Sequence, residues 1–513
     1  MPRTLQLTGR DLTRQDFDEV VLQGRRVTLH PRARQAMAAS RAVVERMMRE
    51  PRAVYAVTTG VGSLSTERID PAQSRQLQLN VVRSHACGVG EPLAIAETRG
   101  VLLLRANTLA AGFSGIRPLV AECLCEFLNR RLHPLVPERG SVGASGDLAP
   151  LAHVAQALIG EGEVTLDPKL GRRGVRMAAA AALRRVRLAP LVLEPKEGIS
   201  LVNGTQAMVS LGLLALRQAE LLVDTADVAG ALSLDALRGS PVAFDERLQR
   251  VRPHPGQLET ARNLIRLNRG SAIRESHRNC LRVQDAYSMR CMPQVHGAVR
   301  DALSFVRRVL EVEMNSATDN PLVFVRAGEI LSGGNFHGAP VSTALDLLGI
   351  ALTQLGGISE RRTDRMVNPL TSGLPPFLAG SPGLESGLMI VQVSAAALAS
   401  ENKVLAHPAS VDSIPTSGNK EDYVSMGMTA ALKLRAIVTN VTWILATELL
   451  TASHALDRLA PLRSGPLAEK ARRLVRRLVP PLAADRTHAP DIARVAAQVA
   501  RGEYARVVTQ SIE

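Results

Sequence analysis

Long helical patterns dominate the C-terminal part of the sequence and constrain the fold more than any other feature. Helices of this length are too long for a small core to cover, so they pack side by side or against other subunits. The pattern predicts a mainly α protein with a long up-down helical bundle in its C-terminal half. Apolar residues recur at every third or fourth position, the spacing of an amphipathic helix, over 204–238, 296–316, 340–365, 386–406 and 421–459.

The N-terminal part differs because helical segments alternate with loops of small residues. Helices are predicted over 31–50, 72–85 and 94–130, and a fourth ends near residue 159. The best strand candidate is a short hairpin over 322–331. We predict two domains, a loop-rich, mostly helical N-terminal domain over 1–197 and a long-helix bundle over 198–513.

Composition and charge exclude several classes of function. With 46% hydrophobic and 21% charged residues, the chain has the composition of a soluble globular protein. The formal net charge of +14 is spread along the sequence among acidic residues, and one Trp and four Tyr offer little base stacking, so no specific nucleic-acid site is predicted. We expect no membrane span, because proline or polar residues interrupt the long uncharged stretches.

The cysteines and the N-terminus bear on location. Five cysteines, an odd number without a Cys-x-x-Cys pair, argue against a disulfide framework or a zinc ribbon and are typical of a reducing compartment. The first residues lack the long apolar core of a signal peptide. We therefore expect a cytoplasmic protein.

Residues 140–153, Gly-Ser-Val-Gly-Ala-Ser-Gly-Asp-Leu-Ala-Pro-Leu-Ala-His, are the most unusual stretch. They predict a tight loop that runs into a helix, with Asp147 at the N-cap or in the first turn. Within the loop, the backbone nitrogen of Gly146 can attack the carbonyl carbon of Ala144, and loss of two waters then leaves Ser145 as an exocyclic methylidene. An isolated Ala-Ser-Gly is more often an ordinary loop, with at most a phosphate at the helix N-terminus.

The wider motif resembles the signature of the aromatic amino-acid ammonia-lyases. The resemblance implies that Ala144, Ser145 and Gly146 mature to 4-methylideneimidazole-5-one (MIO), which takes the place of an external cofactor. The sequence shows no dinucleotide fingerprint and no metal-ligand cluster, which agrees with an enzyme that needs no external cofactor. The resemblance also implies a homotetramer whose active sites draw loops from several subunits.

Further motifs that resemble the family lie at intervals across nearly the whole chain. Tyr55, in Tyr-Ala-Val-Thr-Thr-Gly-Val-Gly, matches the catalytic tyrosine, which would remove a β-proton. Asn203, in Leu-Val-Asn-Gly-Thr-Gln, matches the asparagine that contacts the amine and the MIO oxygen, and Phe336, in Gly-Gly-Asn-Phe-His-Gly, resembles the aromatic residue beside the MIO ring. Taken alone, these residues would be a core tyrosine, a helix N-cap and a core phenylalanine.

A third group comes from Val-Gln-Asp-Ala-Tyr-Ser-Met-Arg-Cys-Met-Pro-Gln. Spacings of three place Gln284, Tyr287 and Arg290 on one face of a helical turn. In the family, Tyr287 would be catalytic, Gln284 would bind substrate, and Arg290 would hold the substrate carboxylate through a two-pronged contact that lysine cannot make. The alternative for Arg290 is a surface salt bridge.

Two motifs bear on the choice of substrate. Ser84-His85 resembles the histidine branch of the family, whereas tyrosine and phenylalanine lyases tend to have His-Leu or Phe-Leu there. Glu421, in Asn-Lys-Glu-Asp-Tyr-Val-Ser-Met, matches the glutamate of the histidine enzymes, and residues 405–417 resemble the same branch. A carboxylate can accept an imidazole N–H, whereas a benzene ring would leave it unpaired.

The chain departs from the family pattern at several positions. Val61 stands where the family usually has Phe, Gly338-Ala339 replaces Ala-Glu, Lys420 replaces Gln, and Tyr423 replaces His. The sequence predicts deamination of L-histidine to trans-urocanate and ammonia. A tyrosine or phenylalanine ammonia-lyase, an MIO-dependent 2,3-aminomutase and a non-catalytic paralogue remain the alternatives.

Overall fold

The computed structural model describes residues 3–49, 55–278, 280 and 283–509, and this part of the chain is mainly helical, as predicted. Four short 3-10 helices are present in it, at Gly62–Leu64, Pro71–Gln73, Pro241–Phe244 and Pro376–Leu378. The α-helices are α1 (Arg14–Gln23), α2 (Pro31–Met47), α3 (Ser74–His85), α4 (Ile95–Ala110), α5 (Pro118–Arg130), α6 (Leu148–Leu158), α7 (Ala179–Arg185), α8 (Glu197–Val202), α9 (Gln206–Ala236), α10 (Glu246–Arg250), α11 (Pro255–Asn268), α12 (Ala272–Glu275), α13 (Tyr287–Arg290), α14 (Met292–Glu313), α15 (Ala339–Val367), α16 (Pro369–Ser372), α17 (Met389–Leu405), α18 (Gly427–Asp457), α19 (Pro466–Arg476), α20 (Ala489–Ala500) and α21 (Ala505–Thr509).

The strands are short and form four small sheets in the described residues. β1 pairs with β2 in parallel, while β3 with β5, β4 with β6, β6 with β7, and β8 with β9 pair antiparallel. The β8–β9 hairpin was predicted and so was a turn or short hairpin over 160–168, where β6 lies, but the other strands are too short to show alternation. The strands are β1 (Leu5–Leu7), β2 (Val27–Leu29), β3 (Val89–Pro92), β4 (Leu132–Pro134), β5 (Pro137–Arg139), β6 (Glu163–Leu166), β7 (Val175–Ala178), β8 (Leu322–Phe324) and β9 (Glu329–Leu331).

One predicted helix, over 94–130, is wrong, because it is two helices, α4 and α5. Gly112 and Gly115 between them adopt φ values of +80° and +68°, which right-handed helices exclude. A Cβ on Gly115 would lie 2.5 Å from Cγ2 of Val44, so only glycine fits at this close approach to α2. The sequence carries a signal for this break, because Gly112, Gly115 and Pro118, which opens α5, are typical of a helix end and a helix start.

The long helices predicted after residue 198 are present as α9, α14, α15, α17 and α18, with ends shifted by a few residues. The last one begins at Gly427, so Glu421 lies in the preceding loop, not in the helix as predicted. The backbone of Glu421 pairs there with Thr416 in an isolated antiparallel bridge, and the Met426 N–H donates to the carbonyl oxygen of Val142. These backbone hydrogen bonds take the place of the helical hydrogen bonds that the prediction implied for this segment.

The chain forms two compact units. The first consists of Met1–Leu214, Arg308–Leu345 and Pro408–Leu432, and it contains all the strands named above. The second consists of Ala215–Arg307, Asp346–His407 and Lys433–Glu513. Because each unit is discontinuous in sequence, the division at residues 197 and 198 stays a prediction.

A buried ionic cluster ties the long helices of the second unit together. Glu448 on α18 accepts hydrogen bonds from Ser233 on α9 at 2.7 Å and from Ser359 on α15 at 2.6 Å, and it pairs with Arg362 at 2.5 Å. Arg362 and Glu448 are both fully buried, so pairing is required for either charge to be tolerated there. These contacts fix the register of the helices.

Three helices, α9, α15 and α18, are long and apolar enough to cross a membrane by length and composition. The sequence prediction of no spanning segment rested on proline and polar residues within uncharged stretches, and the length and composition of these three helices do not support it. In the most apolar window of each helix, 72%, 61% and 83% of the residues are buried within the protein. Most of the apolar surface that suggests a span is thus covered by protein, as in a helical bundle.

Candidate active site

A pocket of about 650 Å3 in the first unit brings together residues that are distant in sequence. Its walls come from the loop after residue 55, the end of α3, the glycine-rich loop, the end of α8, and the segments before α15 and α18. Predicted site residues that line it are Tyr55, His85, Ala144, Ser145, Asn203, Phe336 and Glu421.

The loop over 140–147 is held from two sides. On one side, the Asp147 N–H donates to the carbonyl oxygen of Gly204 at 2.7 Å, next to a bridge between Gly146 and Gly204. On the other side, the Ser425 hydroxyl donates to the carbonyl oxygen of Gly143 at 3.0 Å. The loop therefore has a fixed conformation, which a backbone cyclisation requires.

Gly146 is a position where only glycine fits. Its φ is +73°, and an added Cβ would lie 2.1 Å from the carbonyl oxygen of Gly204, a backbone atom that cannot swing away. The neighbouring Ala144 is buried against Val424 and Met426. Small size at both positions is thus imposed by packing.

Asp147 is the N-cap of α6 by position, as predicted, but its side chain makes no capping bond to that helix. Its carboxylate accepts hydrogen bonds from the N–H groups of Ala207 and Met208, both at 2.9 Å, in the first turn of α9. It also accepts one from the Ser141 hydroxyl at 3.2 Å. Burial raises the pKa of Asp147 to about 7, against the effect of these bonds. Asp147 thus connects the loop to α9.

Asn203 is the C-cap of α8, not an N-cap, and its side chain points at the loop. Its Nδ2 donates to the carbonyl oxygen of Ser145 at 3.0 Å. Its Oδ1 is buried and has no hydrogen-bond partner among the described residues. A buried amide oxygen without a partner costs about 1–3 kcal/mol, so this atom is suited to accept a hydrogen bond from a bound ligand.

Glu421 lies beside the serine of the predicted cyclising tripeptide. Its Oε1 accepts a hydrogen bond from the Ser145 hydroxyl at 3.1 Å, and its Oε2 accepts one from the Thr416 hydroxyl at 2.7 Å. His85 lines the same pocket, and its Nδ1 is 3.1 Å from the Ser84 hydroxyl. Burial lowers the pKa of His85 although the charge of Glu421 opposes the shift, so the imidazole is neutral at neutral pH.

Aromatic residues form another part of the pocket. The Tyr55 hydroxyl oxygen accepts a hydrogen bond from the Gly62 N–H at 3.0 Å. His337 and Tyr423 stack with their ring centroids 6.2 Å apart and an interplanar angle of 12°. Tyr423, one of the departures from the family pattern, therefore lies in the pocket together with Phe336.

The third predicted group lies elsewhere, in the second unit. Gln284, Tyr287 and Arg290 are not among the residues that line the pocket. The prediction that all three share a helical face is wrong for Gln284, because α13 begins only at Tyr287. Tyr287 is 70% exposed, and the guanidinium of Arg290 lies 4.7 Å from its ring centroid. Arg290 forms no ion pair with the part of the chain that the structure describes.

Sequence reasoning missed Arg105, a fully buried residue of α4. Its Nη1 donates to the carbonyl oxygen of Asn203 at 2.8 Å and to Oε1 of Gln206 at 2.9 Å, and its Nη2 donates to the carbonyl oxygen of Ser200. Burial lowers its pKa to about 10. Arg105 thus holds the backbone that carries Asn203. A lone arginine in the apolar run 101–106 was the signal that could have revealed it.

Comparison with known proteins finds similar proteins that match nearly the whole chain. The family profile described as aromatic amino acid lyase matches residues 12–477. The chain is 56% identical over 516 residues to the histidine ammonia-lyase of Koribacter versatilis, covering 98% of this chain and 99% of that protein. The histidine ammonia-lyase structure from Trypanosoma cruzi has a TM-score of 0.90 at 40% identity, covering 99% of this chain and 95% of that one. The tyrosine aminomutase structure from Streptomyces globisporus has a TM-score of 0.93 at 39% identity, covering 99% of both chains.

Proposed function

Because the chain belongs to the aromatic amino acid lyase family, we propose that it converts L-histidine to trans-urocanate and ammonia. The observation that carries this choice is the position of Glu421, whose carboxylate shares the pocket with a neutral His85 and lies 3.1 Å from the Ser145 hydroxyl. A carboxylate there can accept the substrate imidazole N–H. A phenyl ring would leave it without that partner, at a cost of about 1–3 kcal/mol.

We propose that Ala144, Ser145 and Gly146 form MIO, so that no external cofactor is needed. Three features of the chain fit the group: Gly146 cannot carry a side chain, Asn203 holds the Ser145 carbonyl oxygen, and Ala144 is buried. When present, the group supplies an electrophilic methylidene carbon that takes up the substrate amino group and makes it a leaving group.

The remaining pocket residues have tasks that follow from their contacts. Tyr55 accepts the β-proton of the substrate at its phenolate oxygen, and the Gly62 N–H stabilises that negative charge. The free Oδ1 of Asn203 accepts a hydrogen bond from the substrate amine. Phe336 packs beside the ring formed by the loop. Glu421 and His85 receive the imidazole and orient the β-carbon toward Tyr55.

We propose a homotetramer in which Arg290 of one copy binds the substrate carboxylate in the pocket of another, with Gln284 and Tyr287 beside it. A half-buried arginine over an exposed tyrosine, with a buried Nε that has no hydrogen-bond partner and with no ion pair among the described residues, suits such a role. The odd number of cysteines and the lack of a Cys-x-x-Cys pair in the sequence support a location in the cytoplasm.

A second candidate, a 2,3-aminomutase, is supported by the similarity to the tyrosine aminomutase structure, at 39% identity and a TM-score of 0.93. Lys420 and Tyr423, which flank Glu421 in the sequence and differ from the family pattern, both line the pocket. Such an enzyme would return the released ammonia to the β-carbon. Chromatography of the reaction mixture separates the two candidates, because a lyase gives urocanate as the main product and an aminomutase gives a β-amino acid.

The experiment that tests the proposal offers the purified enzyme L-histidine, L-tyrosine and L-phenylalanine in parallel and follows the conjugated acid by ultraviolet absorbance. We expect product from histidine at a rate at least about tenfold above either other substrate. Absence of product from histidine would overturn the proposal. Intact mass serves as the companion measurement: mature chain is two waters lighter than the translated sequence, and an unmodified chain would support a non-catalytic paralogue.

A further inference from the structure

A second cavity, of about 580 Å3, lies in the first unit and shares no lining residue with the pocket at Ser145. Its walls come from the residue before β2, the end of α5, the end of β6, the β6–β7 connection and the end of α7. We call it the arginine cavity because five arginines line it: Arg26, Arg130, Arg131, Arg173 and Arg185.

Three of these guanidinium groups are free to bind a ligand. Arg130 is committed to Glu126 at 2.6 Å, and Nε of Arg131 donates to the backbone oxygen of Asp167 at 3.1 Å. The guanidinium groups of the other three make no hydrogen bond or ion pair with the residues that the structure describes. These are Arg26, Arg173 and Arg185.

Asp167 is the one carboxylate among the residues that line the cavity, and it does not neutralise the positive charge of the three unpaired arginines. Asp167 is buried, and its Oδ2 lies 3.1 Å from Nε2 of His133. Behind it lies Arg99, fully buried, which donates only to backbone carbonyl oxygens, not to a carboxylate. Burial, together with the positive charges of Arg99 and Arg131, lowers the pKa of His133 to about 3. The surroundings of Asp167 are therefore positive overall.

Like charges that face a shared cavity repel one another, and apolar walls strengthen the repulsion by lowering the local dielectric. Leu166 and Val186, both half-buried, supply such walls here, while Val175 and the three unpaired arginines are exposed. An anion relieves the repulsion. Guanidinium forks match the oxygens of a phosphoryl group in pairs, and a volume of this size accommodates a small organic anion.

We propose that the arginine cavity binds a small anion that carries two or more phosphoryl groups. Two linked phosphoryl groups bring about three negative charges at neutral pH, which balance the three free guanidinium groups. A single carboxylate brings one charge and leaves the repulsion largely in place. The proposal concerns a site separate from the lyase pocket and holds whatever the substrate of that pocket is.

Isothermal titration calorimetry with inorganic pyrophosphate tests the proposal on the full-length protein. We expect a dissociation constant on the order of 100 µM or lower in 50 mM NaCl, with weaker binding as salt is raised. The double variant Arg173→Gln/Arg185→Gln should bind at least about tenfold more weakly, because it removes two charge-assisted contacts.

The matched control is Arg172→Gln/Arg184→Gln, which changes the net charge equally at the two preceding residues. Both are exposed, and neither lines the arginine cavity. The control should bind within about twofold of the wild type. Equal loss in both double variants, or no binding by the wild type up to about 10 mM pyrophosphate, would overturn the proposal.

Two further measurements keep the result interpretable. A nucleoside triphosphate should bind at least as tightly as pyrophosphate, whereas succinate binding as tightly as pyrophosphate would overturn the assignment to phosphoryl groups. Thermal unfolding should place both double variants within about 2 °C of the wild type. If the test variant unfolds, the single variants Arg173→Gln and Arg185→Gln replace it, and each should weaken binding about threefold.

Discussion

The pocket at Ser145 and the segment over 284–290 both match the chemistry of an amino-acid substrate, yet they are built differently. In the pocket, Asn203 and Gly146 are buried or tightly packed, and the loop is bonded on two sides. In the segment, Tyr287 is mostly exposed and Arg290 contacts its ring. The difference teaches that the residues around Ser145 are assembled within one unit, whereas the segment leaves Tyr287 exposed, which fits the proposal that Arg290 binds substrate in another copy.

The largest effect is expected from Ser145→Ala, which removes the hydroxyl that must leave during cyclisation. Deamination should fall by at least about 1,000-fold, because the loop can no longer become an electrophile. The variant should fold, since the side chain makes one hydrogen bond, to Glu421. The quantities to measure are the deamination rate of the variant and the intact mass of its chain. Ser65→Ala, which also lines the pocket, is the control and should keep most activity; a Ser145→Ala variant with over a tenth of wild-type activity would remove the loop from the mechanism.

A smaller loss is expected from Glu421→Gln. The value of kcat/KM for histidine should fall about 100-fold, because the carboxylate that accepts the imidazole N–H is lost. Any turnover of phenylalanine should fall less, so the ratio of the two kcat/KM values reports ring recognition. Asp422→Asn is the matched control: it also lines the pocket and should change the ratio by less than about threefold. An unchanged ratio in Glu421→Gln would separate Glu421 from substrate choice.

Arg290→Lys tests the role of the segment over 284–290. Lysine keeps the charge but not the two-pronged contact, so KM for histidine should rise about tenfold with a smaller change in kcat. Steady-state kinetics measure both constants. Arg278→Lys, an exposed residue that pairs with Glu275 at 2.6 Å, should leave KM unchanged. A wild-type KM in Arg290→Lys would show that this arginine does not bind the carboxylate.

The smallest expected effect is the loss of folding stability in acid. We expect one buried histidine in each unit to contribute to this loss in the same way. Burial lowers the pKa of His133 in the first unit and of His454 in the second, each to about 3, with nearby arginines adding to the shift. The folded protein then binds fewer protons than the unfolded chain between about pH 6.5 and 3. Stability from each histidine is full above pH 6.5 and is lost as pH falls, by up to about 1.4 kcal/mol per pH unit.

Thermal unfolding between pH 7 and pH 4.5 measures this dependence. His133→Gln should make the unfolding temperature fall less steeply with acid than in the wild type. The exposed His407→Gln should keep the wild-type slope. Equal slopes in all three proteins would mean that His133 takes up its proton without unfolding. In that case acid would destabilise the protein through His454 of the second unit but not through His133 of the first.

The parts of this account that could be predicted from the sequence are those encoded locally. Periodicity placed the long helices, and glycine with small neighbours marked the loop at Ser145. The break between α4 and α5 could have been predicted from Gly112, Gly115 and Pro118, but the sequence pattern could not show that Gly115 approaches Val44. Nor could it show that Asp147 caps α9, since that bond joins separate segments. Arg105 was missed for the same reason: its partners lie about a hundred residues away.

The central claim, that one copy supplies the electrophile and another supplies the carboxylate contact, is tested most directly by mixing two inactive variants. Ser145→Ala and Arg290→Ala are each inactive or nearly so alone. Co-expressed in equal amounts, they should recover about a quarter of wild-type activity, because random assembly gives that share of pockets one intact loop and one intact arginine. If both residues of a pocket came from the same copy, no pocket in the mixture would be intact. Activity no greater than that of the separate variants would therefore contradict the account.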